Sequence, residues 1–116
     1  MSTFDEIEYI KHIYSEIQYL ETVLQECDED EFFIHETYKR AVTRSFEIIG
    51  EASKKVTIDF KLKYSSIPWS EMTKMRDKII HHYHGVDYEL IWNIMKEDIP
   101  HLSKQIFEIL DSNSNN

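Results

Sequence analysis

An arginine, a histidine and a tyrosine lie close together in the segment that runs from Arg76 to Gly85. The guanidinium of Arg76 is a permanent cation with several hydrogen-bond donors, which suits it to phosphate oxygens. The imidazole of His81 exchanges protons near neutral pH, and the hydroxyl of Tyr83 can bind a ligand or be modified. Together these residue types could carry out chemistry at a phosphodiester.

The spacing of these residues determines how they could meet on a helix. On an ideal helix, Arg76 and Tyr83 lie within ~20° of one face, whereas Arg76 and His81 lie ~140° apart around the axis. Asp77 and His81 are four residues apart, so Asp77 is expected to orient the imidazole. Arg76 and His81 can meet over one phosphate only if the arginine bends round or a second helix completes the site. This geometry suggests a dimer.

Two other interpretations of the same residues remain open. Cations near the C-terminus of a helix interact favourably with its dipole, so Arg76, His81, His82 and His84 could serve stability alone. A metal site is a weaker alternative, because the three histidines have no partner carboxylate at a familiar ligand spacing such as HExxH. We therefore predict no metal site.

Helices must position this segment, because the chain has only two glycines and two prolines for turns, and its apolar residues recur at helical spacing. We predict an all-α fold, an antiparallel bundle of four to five helices in a single domain over residues 1–110, followed by a flexible polar tail over 111–116. The predicted helices span 3–26, 31–57 and 67–84, with a loop over 57–66, a stop at Gly85, and a last helix that starts after Asp87 and is kinked near Pro100.

Composition and charge give a second set of expectations. No apolar run approaches the ~20 residues that span a bilayer, and the lone Cys27 cannot form an internal disulfide, so we expect a soluble cytoplasmic protein without a membrane partner. The net charge of −9 opposes nucleic-acid binding. However, residues 39–78 hold ten of the thirteen basic residues against five acidic ones, a local charge of +5. This segment could present a basic surface to RNA, or it could form ordinary solvated helix faces.

Several motifs, taken in chain order, resemble the HEPN superfamily and, within it, the HepT branch. The central motif is an arginine, four residues, a histidine, one residue and a tyrosine, which Arg76, His81 and Tyr83 match. The resemblance covers about residues 5–110. The supporting motifs are 44–52 (RSFEIIGEA), 67–71 (IPWSE), 81–87 (HHYHGVD) and 91–92 (IW).

The resemblance implies a HEPN-like helical bundle that forms a homodimer, with the two signature helices facing a shared cleft. It also implies a toxin that cleaves RNA as an endoribonuclease without a metal or cofactor. The implied partner is a minimal nucleotidyltransferase antitoxin of the MntA type. The alternative function is a noncatalytic HEPN module that binds a nucleotide or a protein partner in the same cleft.

The implied roles transfer to this sequence residue by residue. Arg76 and His81 match the catalytic pair, and Asp77 fills the polar position after the arginine. Tyr83 matches the tyrosine that the antitoxin adenylylates. Glu51, in the second predicted helix, either supports the site or is a structural acid; both assignments remain open.

Overall fold

The structure is a computed structural model that describes residues 3–81 and 85–114, with side chains from Glu6 onward. Within these ranges the chain forms eight helices and one two-stranded antiparallel sheet, which confirms the predicted all-α class. The elements are α1 (Thr3–Glu26), α2 (Glu29–Ile34), α3 (Glu36–Lys55), α4 (Ile58–Lys63), α5 (Trp69–Thr73), α6 (Met75–Ile79), β1 (Ile80–His81), β2 (Gly85–Val86), α7 (Tyr88–Glu97) and α8 (Ile99–Asn113).

Helices α1 and α3 form the centre of the bundle. They make the most extensive interhelical contact, and α1 also packs along α8. Ile10, Ile13 and Ile17 are fully buried on α1, as their spacing of three to four residues predicts. The first predicted helix is therefore confirmed. Helix α3 also contacts α2, α5 and α6, so it joins the N-terminal half of the chain to the segment that carries Arg76.

Carboxylates on α1 add polar contacts to this packing. Oε2 of Glu6, which is buried, accepts hydrogen bonds from the backbone N–H of Thr57 at 3.1 Å and from its hydroxyl at 3.2 Å. Oε1 of Glu16 accepts a hydrogen bond from the Ser45 hydroxyl at 2.8 Å. Part of the acidic excess of the chain is therefore used inside the fold, because a buried carboxylate needs hydrogen-bond partners.

The second predicted helix is divided in two. Helix α2 begins after Asp28, which forms a capping box with Glu31. The chain then breaks at His35, whose Nδ1 accepts a hydrogen bond from the Tyr38 N–H at 3.2 Å and caps α3. The prediction of one continuous helix over 31–57 is wrong because a histidine, which sequence patterns do not mark as a cap, begins a new helix.

The predicted loop over 57–66 contains the short helix α4. The hydroxyl of Thr57 accepts a hydrogen bond from the Phe60 N–H at 3.3 Å and caps this helix. Phe60 is the only buried residue of α4, whereas Ile58 and Leu62 are exposed. The loop prediction is wrong because α4 has six residues, too few to show a helical period.

The prediction of a third continuous helix over 67–84 is also wrong. The chain forms α5, breaks at Lys74, forms α6, and leaves the helical conformation at Ile80. Strand β1 then pairs antiparallel with β2, with Ile80 opposite Val86 and His81 opposite Gly85. Gly85 adopts a left-handed conformation (φ 73°), but it begins a strand and does not end a helix as predicted. The two adjacent β-branched residues at 79 and 80 favour this departure from helix.

The C-terminal helices agree more closely with the sequence. Asp87 caps α7 as predicted, and the predicted kink is a break at Asp98, with Pro100 in the first turn of α8. Helix α8 continues to Asn113, whose Nδ2 donates a hydrogen bond to the Tyr64 hydroxyl at 3.2 Å. Residues 111–113, which we assigned to a flexible tail, are therefore helical.

Replacing Phe32 with alanine should lower the free energy of unfolding by about 3 kcal/mol. Its ring is fully buried and packs against Tyr88 and Trp92, which joins α2 to α7. Urea denaturation measures the loss. Ile34→Ala on the same helix, where the side chain is 84% exposed, should change stability by less than about 0.5 kcal/mol. Equal losses for the two variants would contradict this role for Phe32.

Candidate functional site

Gly50 allows α3 and α5 to approach closely. A Cβ added at Gly50 would lie 3.2 Å from the Met72 carbonyl oxygen and 3.5 Å from that of Thr73. Glycine in a helix interior usually costs about 1 kcal/mol relative to alanine. Here the missing side chain gives space to the backbone of α5. The contact brings the face of α3 that carries Glu47 and Glu51 beside the start of α6.

Arg76 lies on α6 and contacts that face of α3. Its Nε donates a hydrogen bond to Oε2 of Glu47 at 3.2 Å. Oε1 of Glu47 lies 3.8 Å from Nη1 of Arg44, and the same Nη1 lies 4.0 Å from Oε1 of Glu51. Two arginines and two carboxylates therefore form a chain of ion pairs between α3 and α6. The Arg76 side chain is 62% exposed, so a ligand in solution can reach it.

A shallow cavity of about 420 Å³ lies beside this ion-pair chain. Its lining combines two cations with two carboxylates, together with Gly50 and Thr73. A phosphate could enter such a cavity only beside the cations, because the carboxylates would repel it. The lining residues are Glu47, Gly50, Glu51, Lys54, Thr73 and Arg76.

The hydroxyl of Thr73 in this wall is buried and has no hydrogen-bond partner among the described residues. Burying a hydroxyl without a partner costs about 1–3 kcal/mol. The neighbouring carbonyl of Thr73 lies against Gly50, so the residue is held close to α3. This unpaired group weakens the fold at the edge of the cavity.

His81 lies on β1, and its polar neighbour is Asp87. Nε2 of His81 is 3.7 Å from Oδ2 of Asp87, a distance that forms an ion pair when the imidazole is protonated. Oδ1 of Asp87 accepts a hydrogen bond from the Leu90 N–H at 3.0 Å, and the Asp87 N–H donates to the Ile79 carbonyl at 2.7 Å. One aspartate therefore caps α7, holds the end of α6 and lies beside the histidine.

The structure separates residues that an ideal helix would have related. Because α6 ends at Ile79, two residues before His81, the predicted pairing of Asp77 with His81 and the helical angles calculated for the segment do not apply. Asp77 is exposed, and His81 pairs with Asp87 in its place. No hydrogen bond joins Arg76 to His81 in the described part of the chain, and each side chain has its own carboxylate partner.

The other predicted site residues have different outcomes. Glu51 lines the cavity, but its ion-pair partner is Arg44 and not Arg76. Tyr83, the predicted site of adenylylation, lies outside the described residues, as do His82 and His84. The roles of all these residues remain predictions.

Three residues of the site were missed by sequence reasoning: Glu47, Arg44 as its second partner, and Asp87 as the partner of His81. Glu47 lies one turn before Glu51 on the same face of α3, and Arg44 lies three residues before Glu47, so the helical spacing could have identified both. Asp87 was recognised only as a helix cap. Its contact with His81 depends on the pairing of β1 with β2, which the predicted continuous helix excluded.

A metal site and a reactive cysteine are two other kinds of site that the residue types in the ranges 3–81 and 85–114 could offer. These ranges contain no group of three or more histidine, cysteine or acidic side chains arranged to hold a metal ion, and none of their helices is long and apolar enough to cross a membrane. Burial raises the pKa of the Cys27 thiol, with further contributions from Glu31 and Asp28. A buried thiol with a raised pKa is a poor nucleophile, so Cys27 does not form a reactive site.

The model of a family described as "Ribonuclease HepT-like" matches residues 13–109, a span that includes the cavity, Arg76 and His81. The chain belongs to the HepT-like ribonuclease family. This confirms the resemblance found in the sequence and, with it, the predicted class of enzyme, a ribonuclease.

Individual relatives agree with this assignment. A protein of Methanocaldococcus jannaschii named a gamma-glutamylcyclotransferase and "putative RNase" is 43% identical over 111 residues, which cover 93% of this chain but 50% of that protein. A "putative RNase" of Caldanaerobacter subterraneus subsp. tengcongensis is 42% identical over 88% of this chain and 91% of its own length. A "probable ribonuclease HepT" of Thermococcus cleftensis is 44% identical over 82% of this chain and 86% of its own length. The chain therefore spans half of the first relative and most of the other two. No solved structure matches the chain.

Asp87→Ala should lower the free energy of unfolding by about 1 kcal/mol, because α7 loses its N-cap. Asp87→Asn should retain most of the stability, because asparagine is also a good N-cap residue. Urea denaturation of the two variants separates these effects. If the asparagine variant loses as much stability as the alanine variant, the charge beside His81 and not the cap is what stabilises this corner.

Thr73→Val should raise the free energy of unfolding by about 1 kcal/mol, because it removes a buried hydroxyl that has no partner. Thr43→Val is a matched control on α3. The hydroxyl of Thr43 donates to the Lys39 carbonyl at 2.8 Å, so its removal should give no gain. Differential scanning calorimetry compares the two variants. A loss of stability in Thr73→Val would mean that its hydroxyl has a partner in solution.

Proposed function

We propose that this chain is a metal-independent endoribonuclease toxin that acts in the cytoplasm and uses Arg76 and His81 to cleave RNA. The main support is the family match, which includes the segment that carries the arginine and histidine of the signature. The exposure of both side chains, 62% for Arg76 and 50% for His81, also supports it because a large substrate must reach them.

The proposed chemistry uses the ribose itself as the nucleophile. A base removes the proton of the 2′-hydroxyl, the 2′-oxygen bonds to phosphorus, and the bond to the 5′-oxygen of the next nucleotide breaks as that oxygen receives a proton. The products are a 2′,3′-cyclic phosphate and a 5′-hydroxyl. We assign proton transfer to His81 and stabilisation of the developing negative charge to Arg76. Asp77 and Glu51 are assigned supporting roles.

We further propose that two copies share the site across a homodimer cleft. Within one chain, Arg76 is hydrogen-bonded to Glu47 on α3, whereas His81 lies beside Asp87. The two side chains therefore have separate partners. Transesterification needs both a base and an acid, and a single histidine can be only one of them at a time. A second histidine from the facing copy would supply the other.

The proposed charge attraction to RNA depends on lysines more than on arginines. Arg40, Arg44 and Arg76 all have carboxylate partners, and Lys39 lies 4.7 Å from the centre of the Tyr88 ring. Within the basic segment 39–78, a second group of cations is exposed and has no ion-pair partner among the described residues. These are Lys54, Lys55, Lys63, Lys74 and Lys78. Lys54 belongs to this group and also lines the cavity beside Arg76.

We assign control of the toxin to a nucleotidyltransferase antitoxin of the MntA type that modifies Tyr83. The phenolic oxygen would bond to the α-phosphorus of ATP, and pyrophosphate would leave. The attached AMP adds bulk and negative charge two residues from His81. Repulsion between this phosphate and the RNA backbone is sufficient to block cleavage.

The test is cleavage of total cellular RNA in EDTA by purified protein whose mass shows no modification. Wild type should degrade the RNA, and Arg76→Ala and His81→Ala should each be slower by at least about 100-fold. A Tyr83-adenylylated sample should also be inactive. His12→Ala, which removes an exposed histidine on α1, is the matched control and should retain activity.

Two results would contradict the proposal. Intact RNA with a folded, unmodified wild type would favour the noncatalytic binding module. Cleavage by wild type only after Mg²⁺ replaces EDTA would contradict the metal-independent mechanism. RNA binding by His81→Ala, measured by fluorescence anisotropy, distinguishes loss of chemistry from loss of binding.

A further inference from the structure

Glu47 fixes how the guanidinium of Arg76 is held. The single side-chain hydrogen bond of Arg76 among the described residues uses Nε, at 3.2 Å from Oε2 of Glu47. An arginine held through Nε keeps both terminal amino groups for another partner. Those two groups can form a bidentate contact with a phosphate.

The two side chains differ in how firmly their helices hold them. Glu47 is 24% exposed and lies one turn before Gly50, at the tight contact between α3 and α5. Arg76 lies on α6, which has five residues and is bounded by non-helical residues at 74 and 80. A long arginine side chain loses much conformational freedom when it is ordered. The more buried carboxylate on the longer helix therefore orients the more exposed cation.

We propose that Glu47 is the positioning residue of the site, which holds Arg76 so that its terminal amino groups meet the phosphate of the RNA. This inference rests on the proposed function, since it assigns Glu47 a part in the same reaction. Glu47 does not itself touch the substrate. Its carboxylate reduces the local positive charge, so it is expected to weaken RNA binding slightly while it raises the rate of the bound complex.

Arg44 gives the Glu47 carboxylate a second cationic neighbour. Nη1 of Arg44 lies 3.8 Å from Oε1 of Glu47, the oxygen that Arg76 does not use. Each carboxylate oxygen thus has its own arginine. A substrate phosphate that pulled Arg76 outward would have to break its hydrogen bond to a carboxylate that Arg44 also attracts.

The kinetic test separates positioning from general stability. Glu47→Ala should lower kcat by about 10- to 100-fold, the size of effect expected from a misplaced catalytic group. Glu47→Gln keeps an oxygen that accepts from Nε, so it should restore most of kcat and, by removing a negative charge, lower KM. In an Arg76→Ala background, Glu47→Ala should have no further effect, because its only route to the reaction has been removed.

Glu36→Ala is the matched control. Glu36 is an exposed carboxylate on the same helix whose Oε1 lies 3.7 Å from Nε of Arg40, so the pair has the same chemistry away from the cavity. Its replacement should leave kcat unchanged. Thermal unfolding of every variant, followed by circular dichroism, shows whether each one is folded at the assay temperature.

A second measurement does not depend on cleavage. The Nε–H signal of Arg76 in a ¹H–¹⁵N spectrum, identified by its absence in Arg76→Lys, should exchange slowly with water in wild type and in Glu47→Gln. It should exchange faster in Glu47→Ala. Unchanged exchange would overturn the inference, as would a higher kcat in Glu47→Ala or an equal further loss in the Arg76→Ala background. If wild type does not cleave RNA, the proposed function fails and the Nε–H exchange alone decides whether Glu47 holds Arg76.

Discussion

The close contact between α3 and α5 at Gly50 is the constraint on which the site depends. A Cβ at position 50 would lie 3.2 Å from the Met72 carbonyl oxygen, so a larger residue would require α5 to move away from α3 by at least a few tenths of an ångström. Helix α6 follows α5 after one residue, and Arg76 reaches Glu47 only because α5 is held this near. The hydrogen bond of 3.2 Å between Arg76 and Glu47 is therefore a consequence of backbone packing, because α3 packs against α5 and α5 leads into α6.

The two proposed catalytic residues are placed by different physical means. Arg76 depends on packing, because its partner lies on a helix that contacts α1, α2, α5 and α6. His81 depends on hydrogen bonds, because Asp87 joins the end of α6 to the start of α7 and lies beside the imidazole. A substitution in the core would therefore disturb the arginine first, and a change at the α7 cap would disturb the histidine first.

Local sequence patterns predicted α1, the start of α7 and the break between α7 and α8. The apolar spacing of α1, the Asp28 and Asp87 caps and the break before Pro100 all follow from interactions within a few residues. The 67–84 prediction failed because Met72, Met75 and Ile79 keep a helical spacing while the backbone between and after them breaks. Residue type and family motif marked Arg76 and His81 as candidate site residues, and their roles stay predictions. Helical spacing relates Glu47 to Arg44 and Glu51, but the pairing of Glu47 with Arg76 could not be predicted, since the two residues lie 29 positions apart and meet only in the folded chain.

The short length of α6 has a consequence for how activity could be lost. A five-residue helix has almost no stability of its own in water, so the turn that carries Arg76 is kept by Met75 and Ile79, its two buried side chains. This turn can open while α1, α3 and α8 stay intact, and amide hydrogen exchange would detect the opening as a local event of lower free energy than global unfolding. A sample with a native helical spectrum could therefore contain molecules whose arginine is transiently out of place.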